Sequence, residues 1–195
     1  MDESVMRAMA RWPDVPAVFG WLDLDRRGRW LLKGESISNR AALAFIARNY
    51  AVDVYGRWFF QNGPQRVFVT LELTPWIIRL QDDGGLSTHT QAGVPCVHAV
   101  FMDERGDVVL DTALGAGLLD DRDLELFSES IRDASGRRIS DDALIEAVDA
   151  LGAAACVGLQ AELGGTLVPL RFLARENVPS RLGFVRNPQP REDDG

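Results

Sequence analysis

Short apolar runs, many of them alternating with polar residues, follow one another along this chain and are cut repeatedly by one four-residue pattern, Asp-x-x-Gly. Val5, Met9 and Trp12 fall at i, i+4 and i+7 behind Asp2, and Pro13 stops the series, which predicts a helix over 2–12. Phe19–Asp25 reads as a strand that turns at Asp25-Arg-Arg-Gly28 and returns as Arg29–Leu32. Asp at the first position of a type I turn bonds its own backbone, and Gly at the fourth accepts positive φ. The pattern therefore joins antiparallel strands through a short, bulged loop. Ser38 caps a predicted helix over 39–50, with Leu43, Ile46 and Tyr50 on one face. The turn recurs as Asp53-Val-Tyr-Gly56 before Arg57–Phe60, so that both copies read D-x-x-G-R-W. Asn62-Gly-Pro64 leads into a strand over 67–74, and Pro75 marks an edge or corner before the strand Trp76–Leu80. Asp82-Asp-Gly-Gly85 is a further turn, into Leu86–Thr90.

Residues 91–95 read as a connection, which places the expected subdomain boundary at 92/93. Beyond it, Val97–Met102 and Val108–Asp111 flank a third copy of the turn, Asp103-Glu-Arg-Gly106. A helix is expected over 120–133, with acidic residues in its first turn and Asp133-Ala-Ser-Gly136 at its end. A second helix is expected from the cap Ser140 to Gly152, then a hairpin of 156–163 with 166–173 and a last strand over 181–185. The expectation is an α+β fold of antiparallel hairpins closing on D-x-x-G turns, with three to four short helices and two similar halves. The subdomains are 1–92, aromatic and arginine-rich, and 93–187, acidic, with 188–195 a frayed tail.

Composition narrows the class. The 195 residues are 46% hydrophobic and carry a net charge of -8. That charge is uneven: residues 1–81 sum to +3 and residues 82–195 to -11. An excess of three scattered arginines is no basic stripe, so nucleic acid is not an expected partner. No stretch approaches the roughly 18 uninterrupted apolar residues of a spanning helix, and the acidic start Met1-Asp2-Glu3 is no secretory signal, so the expected location is the cytoplasm, away from membranes. Cys96 and Cys156 are too few for a disulfide framework and are expected to be buried, reduced thiols.

Candidate chemistry comes from two groups. Glu72, His89, Cys96 and His98 are residue types that bind borderline metals or move protons, but H-x6-C-x-H matches no compact ligand spacing, and no metal or cofactor is assigned. Asp120, Asp121, Asp123 and Glu125 read as a helix cap in preference to a cation site. Phosphate-loop, dinucleotide and nucleophile-elbow motifs are absent from the sequence. The other group is a concentration of aromatics over 21–76 with arginines among them, a combination suited to planar or anionic ligands. The ligand-binding candidates are Arg57, Trp58, Arg66, Glu72, Trp76 and His98, weighed against the reading in which the rings fill the core.

The segments Gly20–Trp30, Phe59–Val67 and Glu72–Trp76 resemble a proteobacterial family known only as a domain of unknown function, through the paired hairpins and the strand ending in Thr-Pro-Trp. The resemblance is clearest over residues 18–80 and implies a bacterial, cytoplasmic α+β protein without assigned catalytic residues. The first functional expectation is a non-enzymatic module that binds a small ligand or a partner protein. The alternatives are an enzyme using Glu72 with His98 or His89, and a homo-oligomeric interaction protein, such as a homodimer.

Overall fold

A computed structural model of the chain describes residues 1–12, 15–81, 84–140, 143 and 158–192. It divides into two units, residues 1–75 with 183–195 and residues 76–182. The first unit contains α1 (Glu3–Arg11), β1 (Val18–Leu24), β2 (Trp30–Leu32), β3 (Glu35–Ser36), α2 (Arg40–Arg48), β4 (Tyr50–Val52), β5 (Trp58–Asn62) and β6 (Gln65–Leu71). The second contains β7 (Trp76–Leu80), β8 (Leu86–Thr88), β9 (Val97–Met102), β10 (Val108–Thr112), β11 (Gly115–Leu119), α3 (Leu124–Glu129), β12 (Ile131–Arg132), β13 (Gln160–Leu163), β14 (Thr166–Phe172) and α4 (Val178–Leu182). The fold is α+β, with a mixed sheet in each unit.

The first sheet runs β3-β2-β1-β6-β5-β4. The second runs β12-β13-β14-β9-β10-β11-β7-β8 and contains the same order, β11-β10-β9-β14-β13-β12, with β7 and β8 added. In both, two antiparallel groups are joined by a parallel pair, β1 with β6 and β9 with β14. A short helix, α2 or α3, lies between the two groups in sequence.

Four D-x-x-G turns occupy matching places, after β1, β4, β9 and β12. In each, Oδ1 of the Asp accepts the N–H groups two and four residues on: Arg27 and Arg29 at 2.9 and 2.8 Å, Tyr55 and Arg57 at 2.9 and 2.9 Å, Arg105 and Asp107 at 2.8 and 2.9 Å, Ser135 and Arg137 at 2.8 and 3.0 Å. The fourth-position glycines all have φ between 75° and 79°, a left-handed backbone that a Cβ disfavours. Residues of this type at this spacing therefore supply the same local bonds in all four turns.

Several boundaries differ from the sequence expectation. The division falls at 75/76 and not at 92/93, because β7 pairs with β11 and β8 pairs with β7. The helix expected over 120–133 stops at Glu129, and Ile131, fully buried, is a strand residue paired with Ala161. Its turn at Asp133 consequently closes a strand pair, bridging Arg132 to Arg138. The strand expected over 181–185 is instead α4 followed by Gly183 at φ 69°. The segment expected to fray is described through residue 192, and Pro188 is buried. Cys96 is exposed, because it precedes the buried part of β9. The expected helix from Ser140 to Gly152, apart from Ser140 and Ala143, and Cys156 lie outside the described residues; Ser140 Oγ accepts the Ala143 N–H at 3.3 Å.

The core of the first unit gathers Leu22, Leu24, Trp30, Trp58, Val69 and Leu71 with Ile46 of α2. Burying each such side chain stabilises by about 1.5–3 kcal/mol. Tyr50 lies edge-on to Trp30 at 5.0 Å and tilted against Trp58 at 4.8 Å. Burial pushes its phenol pKa well above the usual value, while its hydroxyl donates to Pro75 O at 3.2 Å. The second core contains Ile78, Val100, Leu110, Leu118, Phe127, Ile131 and Leu170.

Candidate functional site

The second D-x-x-G turn differs from its three counterparts at the two corner positions. Those corners are Arg26-Arg27, Glu104-Arg105 and Ala134-Ser135 in the others, and Val54-Tyr55 here. Val54 is 93% exposed, with Val52 and Tyr55 half exposed beside it. Turn corners face water, so apolar residues there gain nothing from the fold. A cleft of about 420 Å3 opens at this turn, lined by Val52, Asp53, Val54, Tyr55, Arg57, Phe59 and Arg66.

The charges in this cleft divide into a structural pair and a site cation. Arg57 is buried and donates through Nε to Asp53 Oδ2 at 2.7 Å, so each neutralises the other. Its guanidinium also lies over the Phe68 ring at 4.4 Å and donates to Gln189 O at 3.3 Å. Arg66 is exposed on β6, with its guanidinium carbon over the Phe59 ring at 5.0 Å, and has no carboxylate partner among the described residues. The net charge of the cleft wall is therefore positive.

The C-terminal segment is part of this unit. Val185 N–H donates to Gly56 O at 2.9 Å, and Leu71 N–H donates to Arg186 O at 2.8 Å, which seats the segment where β5 and β6 diverge. A Cβ on Gly56 would stand 2.5 Å from Gly183 O, so the turn glycine is needed for this approach as well as for its φ of 77°. Beyond Gln189, the Arg191 guanidinium lies over the Tyr55 ring at 4.0 Å.

The sequence-named residues are distributed as follows. Arg57 and Arg66 meet in the cleft. Trp58 and Trp76 are 6% and 8% exposed and pack in the two separate cores, with Trp76 Nε1 donating to Leu114 O at 2.7 Å. Glu72, in the first unit, accepts the Arg26 N–H through Oε2 at 2.9 Å, and its carbonyl accepts from Arg186. His98 is exposed in the second unit, with Cys96 Sγ 3.5 Å from its Nδ1. His89, in the same unit, packs on Trp76 at 5.7 Å and accepts the Ile77 N–H through Nδ1 at 3.3 Å. Among the described residues, no three His, Cys, Asp or Glu side chains gather to hold a metal ion. Asp120 and Asp123 face Arg122 and Arg79 at 2.6 and 2.7 Å. Val52, Val54, Tyr55 and Arg191 were not among the candidates; the apolar corners of the second turn are the signal that could have found the first three.

A second cleft, also about 420 Å3, lies in the second unit between Leu80, Gln81, Leu126, Glu162 and Leu163. Its carboxylate, Glu162, is paired with Arg132 at 2.8 Å. It thus offers an apolar surface and no uncommitted acid. No helix among the described residues is long and apolar enough to cross a membrane.

No curated protein matches the chain. Among solved structures, a DUF1285 family protein from Silicibacter pomeroyi superposes with a TM-score of 0.52 at 13% identity, covering 80% of this chain and 81% of that one. Another DUF1285 family protein, from Shewanella baltica, gives a TM-score of 0.43 at 20% identity over 58% of this chain and 91% of that one. Identity this low extends the likeness with the first to the fold alone. A family profile, DUF2944, described as "Protein of unknown function (DUF2946)", matches residues 1–189, and the chain belongs to that family.

Proposed function

We propose that the protein is a non-enzymatic module whose first unit binds a small ligand combining an anionic group with an apolar body at the second D-x-x-G turn. The carrying observation is internal: of the four turns built with the same bonds, the second alone has two large hydrophobic corners facing solvent, and that copy borders the cleft containing Arg66. The Phe59 ring beneath the Arg66 guanidinium restricts that side chain, which lowers the entropy cost of hydrogen bonds to a carboxylate or phosphate. The exposed faces of Val52 and Val54 would take the apolar part, where each buried CH2 contributes about 0.8 kcal/mol.

The test is an NMR titration of isotope-labelled full chain with benzoate. Saturable shifts confined to Val52, Val54, Tyr55, Phe59 and Arg66 are expected, and their loss in Arg66→Ala. Binding that survives Arg66→Ala unchanged, or no saturable shift at all, would rule the site out.

A further inference from the structure

We infer that Cys96 and His98 form a thiol–imidazole pair at which the second unit takes up low-molecular-weight disulfides, by thiol–disulfide exchange on Cys96. The pair uses no residue of the cleft in the first unit. Cys96 Sγ lies 3.5 Å from His98 Nδ1 and 4.0 Å from Nε2, a hydrogen-bonding separation for sulfur, and both residues are exposed. Among the described residues neither side chain has another hydrogen bond or an ion pair, so the two are committed only to each other. The strand builds this approach. Ala99 stands opposite Asp111 and Val97 opposite Thr112, so one step along β10 spans two along β9, and His98 is the extra residue of a β-bulge. Side chains two residues apart on a regular strand share a face about 7 Å apart. The bulge bends the strand between this pair, which meets at contact distance. Cys96 O accepts the Ala113 N–H at 3.1 Å, and Thr112 Oγ1 accepts the Leu114 N–H at 3.1 Å and donates to Gly115 O at 2.7 Å. The backbone beneath the thiol is thereby tied to the turn between β10 and β11. A cysteine that serves packing is buried. Cys96 is fixed in place and exposed.

Exchange requires a thiolate, an open path to its sulfur and a proton for the departing thiolate. His98, with Nδ1 unprotonated, accepts the Sγ proton, and the Cys96 sulfur attacks one sulfur of a disulfide R–S–S–R. The bond from Cys96 forms as the S–S bond of the small molecule breaks. The Cys96 sulfur is oxidised, the departing sulfur is reduced, and the imidazolium returns the proton to it. The products are the mixed disulfide Cys96–S–S–R and the thiol R–SH. The disulfide is the only co-reactant, and a free thiol reverses the step. A resident zinc ion is less well served by the same pair. Zinc sites take three or four protein ligands, and among the described residues no third His, Cys, Asp or Glu joins these two.

The experiment treats the full chain, as wild type, His98→Ala and His98→Gln, with bis(2-hydroxyethyl) disulfide, an uncharged probe that the net charge of -8 neither attracts nor repels. Intact mass gives the rate, peptide mapping gives the position, and thermal unfolding confirms that the variants are folded. An adduct on Cys96 that dithiothreitol removes is expected. At pH 7 wild type should react about tenfold faster than either variant, the scale set by an ordinary thiol being only a few per cent ionised there. At about pH 9.5 an ordinary thiol ionises without help, so the three rates should agree within about twofold. His98→Gln keeps a polar side chain without a base, and its agreement with His98→Ala separates proton transfer from bulk. An adduct on Cys156 instead of Cys96, variants that match wild type at pH 7, equal slowing at both pH values, or no adduct would each overturn the assignment.

Discussion

The third D-x-x-G turn should fail when a residue about seventy positions away is removed. In the first, second and fourth turns the residue after the glycine is an arginine, and its guanidinium meets the second oxygen of the turn's own aspartate: Arg29 at 2.5 Å, Arg57 at 2.7 Å and Arg137 at 3.4 Å. In the third turn that residue is Asp107, and two carboxylates, Asp103 and Asp107, lie 2% and 8% exposed in the same loop. Arg175, which follows β14, lies between them. Its Nε donates to Asp103 Oδ2 at 2.8 Å and its Nη2 to Asp107, while its own N–H donates to Glu104 Oε2 at 2.9 Å. Removing one partner of a buried pair costs about 3–5 kcal/mol, because a charge remains in a poorly solvated place. The Arg175 side chain is 18% exposed, so water offsets part of that, and about 2–4 kcal/mol is expected for Arg175→Ala. Taking about 3 kcal/mol and a urea slope of about 2 kcal/mol/M, the midpoint should fall by about 1.5 M. Amide exchange in β9 and β10 during unfolding reads this unit separately from the first. The second step is Asp107→Arg in the Arg175→Ala background, which gives the third turn the residue its three counterparts have. At least half of the lost stability should return. A cost below about 0.5 kcal/mol for the single variant, the range of an ordinary surface change, would refute the reasoning. So would a double variant less stable than the single one.

Three further outcomes are expected. The Arg122 guanidinium, assisted by the Arg122 N–H and opposed by burial, holds the Asp120 carboxyl down to about 2. A depressed carboxyl pKa stabilises the fold above the unfolded value near 4 and loses that contribution as pH falls toward 2, so Asp120→Asn should flatten the acid limb of stability between pH 4 and 2, by at most about 2 kcal/mol. Gly106→Ala meets nothing within 4 Å and should cost only the left-handed backbone penalty, about 1 kcal/mol, whereas Gly56→Ala also drives a Cβ onto Gly183 O and should cost at least twice that in chemical denaturation. Tyr55→Ala should leave thermal stability within about 0.5 kcal/mol, as for an exposed corner, yet weaken benzoate binding by removing part of the cleft wall; an unchanged affinity would separate Tyr55 from the site.

The local grammar of the chain was legible in its residues. Asp-x-x-Gly predicts its own turn because the Asp side chain and the glycine φ are satisfied within five residues, and β1, β2, β5, β9 and β10 follow from the apolar runs beside those turns. Arg57 and Arg66 could be named from the sequence, but Arg57 is buried against Asp53 while Arg66 is exposed. What the residues alone leave open is which side of a strand faces a core and which distant segment covers it. Trp58 and Trp76 look like ligand-stacking rings in sequence, but their side chains are buried in two different cores, a fact of sheet order. Pairing of β7 with β11, which moves the boundary from 92/93 to 75/76, is a parallel contact between segments about forty residues apart, with no local signal. The C-terminal residues have the composition of a tail. They are seated because Gly56, Leu71 and Arg57 present backbone and guanidinium groups that need partners, and only the folded unit brings those three together. Local hydrogen bonding thus determined the turns, and long-range burial and pairing decided which of their neighbours became core and which became surface.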